Sequence, residues 1–236
     1  MKTGERLMPE VQQRLPRALR RQVLHFEASI EDALDELAAG LAPGARVLDA
    51  GAGEGQYKGR FGGKRYVGVD LGVGDGTWNY SGLDAVADLE RLPFPDGCFD
   101  ACINVVTLEH LREPKAALGE MARVLRPGGK LVLAAPLEWE VHQAPHDYFR
   151  YTRFGLEYLL TEAGFSGLRI EPVGGYFRLL ARRLWGGVKF FRGVLFPLAL
   201  VFVAPFALVL PWLDGLDRER NFTLGYICTC ERRSPR

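Results

Sequence analysis

Apolar residues near the start of the chain fall at Val11, Leu15, Leu19, Val23, Phe26, Ile30, Leu34 and Leu37, a spacing of three to four that lines one helical face. One or two amphipathic helices are therefore expected between Val11 and Leu41. Beyond Pro43-Gly44 the pattern shortens to brief apolar runs bounded by turn residues: Arg46 to Ala50, Arg65 to Asp70, Ala85 to Asp88, Phe99 to Asn104, Lys130 to Ala135 and Arg169 to Val173. These read as six strands. Leu118, Met121, Ala122 and Leu125 return to helical spacing after Pro114, which is tolerated in a first turn, and Pro127-Gly128-Gly129 is expected to stop that helix. Thr152 caps a second helix over Arg153 to Ala163. Thr223 to Cys230 alternates like a seventh strand. Alternating strands and helices predict an α/β chain, a doubly wound, mostly parallel seven-stranded sheet, with an apolar helical insert between the last two strands.

On this reading residues 1–43 form N-terminal amphipathic helices, 44–173 with 223–236 form the sheet domain, and 174–222 form the insert. Charge sharpens the division. The 236 residues carry 30 basic and 29 acidic side chains, but Met1 to Tyr176 hold 20 and 25 of them, and Phe177 to Arg236 hold 10 and 4. A net acidic body speaks against a nucleic-acid substrate. The N-terminal region has basic residues but no apolar run of a secretory signal behind them, so a cytoplasmic location is expected. Cys98, Cys102, Cys228 and Cys230 make neither a C-x-x-C pair nor zinc-finger spacing, and read as reduced packing residues, Cys228 and Cys230 on one strand face.

The turn after the first strand, Asp49-Ala50-Gly51-Ala52-Gly53-Glu54-Gly55, concentrates glycines where an open α/β sheet brings its backbone closest to a ligand. It is not a dinucleotide fingerprint, because Gln56 stands at the position of the third glycine, and no G-K-[ST] follows to make a P-loop. The next strand ends in Asp70, a carboxylate able to accept hydrogen bonds from two ribose hydroxyls. Val47 to Gly55, Gly68-Val69-Asp70, Asp88 to Phe94, Phe99-Asp100, Leu108-Glu109-His110-Leu111 and Val124 to Leu131 together resemble the ordered motifs of class I S-adenosylmethionine-dependent methyltransferases of the type 11 domain family. The resemblance covers roughly residues 45–175 and implies a Rossmann-like fold with S-adenosyl-L-methionine as cofactor. It implies that Asp49, Gly51, Gly53 and Gly55 hold the methionine end, that Asp70, with Leu71 beside it, binds the ribose, that Asp88 and Leu89 flank adenine, and that Asn104 lines the site. One departure stands out. The segment Gly72 to Gly82 is too glycine-rich for the helix that many relatives have there.

Methyl transfer to a hydroxyl needs a base, whereas an already nucleophilic acceptor needs mainly orientation. Candidates follow the fifth strand (Glu138, His142, His146, Asp147, Tyr148) and the fourth (His110), with His146 or Tyr148 preferred for orienting or deprotonating the acceptor. Plainer roles are a brace for His110 and a structural pair for His146-Asp147. No metal is expected, because Pro145 prevents His142 and His146 from sharing a helical face. The acceptor class implied is small or lipid-linked. A catalytically inactive, methyltransferase-like binding subunit attached to a membrane or partner is the alternative.

Phe177 to Arg192 combines five basic residues with aromatic and leucine side chains and no acid, which suits an anionic bilayer surface. Val194 to Leu213 follows with 17 apolar residues and three prolines. Its ends feed two strands of one sheet, so a single crossing is excluded, and Pro197, Pro205 and Pro211 are expected to break it. A peripheral membrane hairpin, a cover over the substrate pocket and a subunit interface all fit this composition; oligomeric state is not encoded in it.

Overall fold

A computed structural model describes residues 21–74 and 78–234. They group into two compact units: Ile30–Pro172 with Gly225 onward, and Val173–Leu224 with the described residues up to Ser29. Of the expected N-terminal helices, the stretch carrying Val11, Leu15 and Leu19 lies outside the described residues. Helix α1 (His25–Gly40) buries Phe26, Ile30, Leu34 and Leu37, the four positions its period singles out.

The sheet has seven strands in the order β3-β2-β1-β4-β5-β7-β6. They are β1 (Arg46–Ala50), β2 (Arg65–Asp70), β3 (Ala85–Val86), β4 (Phe99–Val105), β5 (Leu125–Pro136), β6 (Phe165–Val173) and β7 (Gly225–Arg232). The β1, β2, β3, β4 and β5 ladders are parallel, and β7 runs antiparallel to β5. The carboxyl ends of β1, β2, β4 and β5 consequently share one edge, where Ala50 lies beside Val69 and Val105 beside Ala134.

Helices α2 (Pro114–Val124) and α3 (Arg153–Glu162) cover alternate sheet residues. Leu118, Met121, Leu156 and Leu160 join Leu48, Cys102, Leu131, Leu133, Cys228 and Cys230 in one core. All four cysteines are free thiols, and burial pushes that of Cys230 up to about 12.

Several boundaries differ from the sequence reading. Helix α2 ends at Val124, before the Pro-Gly-Gly run, because fully buried Leu125 already pairs with Phe99 and the ladder resumes at Ala101 and Lys130 after a shift. Strand β3 stops at Val86 rather than at Asp88, whose carboxylate accepts the Glu90 N–H at 2.9 Å and turns the chain away from the sheet. Strand β6 begins earlier, at Phe165, and β7 spans Gly225–Arg232 rather than Thr223 to Cys230. After β1 the glycine turn leads only to a 3₁₀ turn (Lys58–Phe61), and between β2 and β3 the described residues hold a single 3₁₀ turn (Tyr80–Gly82).

The insert, taken by itself, is a pair of packed helices, α4 (Tyr176–Val188) and α5 (Leu195–Val209), continued by a 3₁₀ stretch, Leu210–Leu216. The expected break at Pro205 does not occur. Pro197 lies in the first turn of α5 and Pro211 at the start of the 3₁₀ stretch, where a missing N–H costs little, so Pro205 alone interrupts a helix interior. The hairpin closes on Asp214, a buried carboxylate that accepts the Gly175 N–H at 3.0 Å and the Arg178 N–H at 3.1 Å. Asp217 accepts the Tyr176 N–H at 2.8 Å. Two anions from the end of the insert thus satisfy the amino end of α4.

Candidate active site

The glycine turn leaves the end of β1 with φ of +92° at Gly51, +53° at Gly53 and +76° at Gly55. At Gly51 space demands glycine as firmly as conformation does. A Cβ there would lie 2.3 Å from Thr107 Cγ2 and 2.5 Å from Thr107 Oγ1. At Gly53 a Cβ would press to 3.1 Å from the Trp78 ring.

Two carboxylates face this turn and differ sharply. Asp70 is engaged through both oxygens, with the Gly53 N–H at 2.9 Å and the Gly72 N–H at 2.8 Å, and so fixes the turn to the end of β2. Each of these oxygens keeps a second lone pair. Asp49 is fully buried and accepts one hydrogen bond, from the Tyr66 hydroxyl at 2.5 Å, while its Oδ1 has no partner. Burial, reinforced by the neighbouring charge of Asp70 and opposed by the Tyr66 hydrogen bond, pushes the Asp49 carboxyl up to about 7. Buried Asn104 donates to the Ala50 carbonyl at 2.7 Å and likewise holds an unpartnered Oδ1. Orphaned buried acceptors are costly unless a ligand satisfies them, and these two flank the end of β1. The residues present therefore fit a ligand that brings donors, and preferably positive charge, to this point.

The remaining expected contacts divide. Leu71 is exposed, so its side chain is open to a ligand. Leu89 instead lies in the hydrophobic core, which leaves only its main chain toward a ligand. The Asp88 carboxylate caps its own turn.

Beyond β4 the chain passes through Val106, a β-branched residue at φ +50°, and then Thr107, which touches Gly51. Next come Leu108, Glu109 and His110, against which the loop after β5 folds. The Tyr148 and Phe149 N–H groups donate to the Glu109 carbonyl at 2.9 and 3.2 Å, and His110 Nδ1 binds the His146 carbonyl. His146 Nδ1 lies 3.1 Å from the Tyr148 hydroxyl, to which Arg112 Nε donates at 3.0 Å. The preferred pair is thereby brought together.

The plainer readings come out differently. His146 and Asp147 do not pair: Asp147 takes a bidentate hydrogen bond from Arg150, at 2.6 and 2.8 Å, and the His142 N–H at 2.9 Å. The Arg150 guanidinium holds the Asp147 carboxyl well below its usual range. His110 does act as a brace, between two loops rather than on its helix. Burial lowers the pKa of His110, whereas the Glu109 carboxylate raises that of His142.

Four contributors escaped the sequence reading: Tyr66, Trp78, Thr107 and the side chain of Glu109. Tyr66 alone carried a usable signal, since it shares a strand face with Asp70 four residues later. The other three meet their partners only through the fold.

Residues 48–133 match the model of a methyltransferase domain. Demethylmenaquinone methyltransferase of Renibacterium salmoninarum is 42% identical over 103 residues, 41% of this chain and 44% of that protein. Malonyl-[acyl-carrier protein] O-methyltransferase of Serratia marcescens is 32% identical over 102 residues, 39% of this chain and 38% of that protein. The chain thus spans about half or less of the length of these curated relatives. Among solved structures, the [4+2]-cyclase SpnF superposes with a TM-score of 0.55 at 24% identity, covering 86% of this chain and 81% of that one, a likeness of fold alone. On a seven-stranded, mostly parallel sheet, residues 48–133 of this chain, which carry the glycine turn and the strands that frame it, are thus similar to a methyltransferase domain.

Proposed function

We propose that this protein transfers a methyl group from S-adenosyl-L-methionine to a small or lipid-linked acceptor. The observation that carries the reading is the buried, half-satisfied Asp49 at the end of β1, beside Asp70 and a turn whose glycines admit a ligand. Asp49 and Asn104 would meet the donor groups of the methionine end, and Asp70, with its spare lone pairs, the ribose hydroxyls. The cofactor supplies an activated sulfonium methyl, so the protein's task is to hold two reactants in line. We assign acceptor positioning, or its deprotonation, to His146 and Tyr148, whose mutual contact and exposure suit a ligand-facing pair. His110, with Nδ1 committed to the His146 carbonyl, supports them. The two relatives act, by their names, on demethylmenaquinone and on malonyl-[acyl-carrier protein], which makes quinones and carrier-linked acyl groups the first acceptors to screen.

Calorimetric titration with S-adenosylhomocysteine and with NAD tests the cofactor assignment. S-adenosylhomocysteine is expected to bind and NAD not to bind; the reverse would overturn the reading. With an acceptor in hand, His146→Ala and Tyr148→Phe should each lower turnover by about a hundredfold or more, the range ascribed to one positioned acid or base. Full turnover in both variants would remove them from the chemistry.

The insert supports a second element of the proposal, a peripheral site on the cytoplasmic face of an anionic membrane. Helix α5 is exposed along most of its length, including Phe202 (70%), Phe206 (65%) and, just beyond it, Trp212 (81%). Leu195–Leu216 is long and apolar enough to cross a bilayer, at 22 residues. However, α5 returns to Asp214 at the amino end of α4, so a crossing would drag α4, with Arg178, Arg182 and Arg183, through the hydrocarbon. An in-plane hairpin avoids that cost, with apolar side chains in the acyl boundary and cations near the headgroups. Flotation with anionic liposomes at low salt should carry the protein upward, and Phe202→Glu with Phe206→Glu should leave it in the soluble fraction. Failure of the unaltered protein to float would refute membrane contact.

A further inference from the structure

We infer that Glu109, His110 and His142 form a binding site for one divalent metal ion of the zinc type. Glu109 Oε1 lies 3.8 Å from His110 Nε2 and 3.6 Å from His142 Nε2, and the three ligand atoms all fall within 4.8 Å of one another. Ligands about 2.0–2.1 Å from a tetrahedral ion sit roughly 3.4 Å apart, so small side-chain rotations close the site. The Glu109 side chain is fully buried, and the side chains of His110 and His142 are 10% and 22% exposed. Glu109 Oε1 and Oε2, His110 Nε2 and His142 Nε2 are all buried without a hydrogen-bond partner.

The outer contacts explain why a cation belongs there. His110 Nδ1 faces the His146 carbonyl and His142 Nδ1 faces the Glu140 carbonyl at 3.1 Å. A carbonyl only accepts, so both rings carry their proton on Nδ1 and turn an Nε2 lone pair inward. His110 Nε2 and Glu109 Oε1 are then two acceptors facing each other away from water, an arrangement that repels unless positive charge lies between them. Protonating His142 would serve Glu109 but would leave His110 Nε2 unpartnered. One metal ion satisfies all three ligands.

Ring N–H groups held by carbonyls are the usual outer shell of metal-bound histidine. Asp147 and Arg150 hold the loop behind that shell, since Asp147 accepts the main-chain N–H of His142 and Arg150 grips both Asp147 and the Glu140 carbonyl. Two imidazoles and one carboxylate suit zinc-type ions better than magnesium or calcium, and three protein ligands leave a position for an oxygen of water or acceptor. The site does not depend on the methyl-transfer reading.

The test uses the full chain stripped with a chelator and titrated with zinc chloride against a chromophoric competitor, then with cobalt(II) to read the visible absorption of a tetrahedral ion. One ion per chain is expected, together with the cobalt band. Glu109→Gln and His142→Ala should each weaken zinc binding by more than the roughly 10–100-fold that loss of an outer-shell partner costs. His146→Ala, which keeps the carbonyl under His110, should bind within about threefold of the unaltered chain, and this would exclude a His142/His146 site. Thermal unfolding followed by circular dichroism establishes that each variant is folded, with His142→Asn replacing any that is not. Absence of zinc uptake by the unaltered chain, or undiminished uptake by folded Glu109→Gln and His142 variants, would overturn the inference.

Discussion

Asp49→Asn is expected to act in opposite directions on folding and on ligand binding. The Asp49 carboxyl ionises near 7 in the folded chain but near 3.8 when exposed, because burial penalises its charge more than the Tyr66 hydroxyl supports it. Between those values the folded chain holds a proton that the unfolded chain has released. The contribution to stability is therefore complete below pH 3.8, declines by up to about 1.4 kcal/mol per pH unit, and is lost above pH 7. Asparagine has nothing to ionise and can still accept the Tyr66 hydrogen bond. Denaturant unfolding should show Asp49→Asn gaining on the unaltered protein as pH rises from about 5 to about 8. A constant difference across that range would mean that Asp49 does not titrate as its burial requires.

Binding should move the other way. A cationic ligand group favours the ionised carboxylate, so affinity for S-adenosylhomocysteine should rise with pH and level off near 7, where Asp49 is charged without help. Loss of a charged hydrogen bond is worth about 1.5–3 kcal/mol, hence roughly a tenfold to hundredfold weaker Kd for Asp49→Asn, with the pH dependence flattened. A variant more stable at pH 8 and worse at binding carries a residue kept for its ligand rather than for the fold.

How far the sequence disclosed this site follows from the range over which each interaction acts. The β1 turn, the acid at the end of β2 and the α2 and α3 faces are local patterns, in which spacing alone determines geometry, and they appear where they were expected. The strand order and the antiparallel course of β7 are set by long-range pairing, on which local periodicity carries no information. Strand limits moved where a side chain competed with the ladder, as at Asp88, or where tertiary burial began early, as at Leu125. Pro205 was read as a helix breaker because an interior proline forfeits one hydrogen bond, yet the apolar run on both sides continues the helix past it. Glu109 was the largest omission. In the sequence it is one letter of a motif, and only the loop thirty residues later, folding His142 and the Tyr148 amide onto it, makes it a buried side chain whose two oxygens lack hydrogen-bond partners.

Gly51→Ala tests whether the turn is as tightly built as its contacts imply, and Thr107 allows the cause to be separated. Two costs coincide at this position. At φ +92° an alanine is strained by about 1–3 kcal/mol wherever it finds room. Its Cβ would also enter the space of Thr107, 2.3 Å from Cγ2 and 2.8 Å from Cβ, and relieving such an overlap costs about another 1–3 kcal/mol. Gly51→Ala alone should therefore lose about 3–5 kcal/mol of stability and most affinity for S-adenosylhomocysteine, since the shift that accommodates the methyl moves the turn. Thr107→Ala alone gives up the single hydroxyl proton that lies between the Val105 carbonyl, at 3.0 Å, and the Gly51 carbonyl, at 3.3 Å, and should cost about 1 kcal/mol. Combined, the two should cost less than their sum by about 1–2 kcal/mol, because Cγ2 and Oγ1 leave with threonine while the backbone strain and the Thr107 Cβ position remain. Strict additivity in denaturant unfolding would assign the whole penalty to the backbone. Full rescue would assign it to the collision, and the requirement for glycine at the end of β1 would then reduce to a matter of volume.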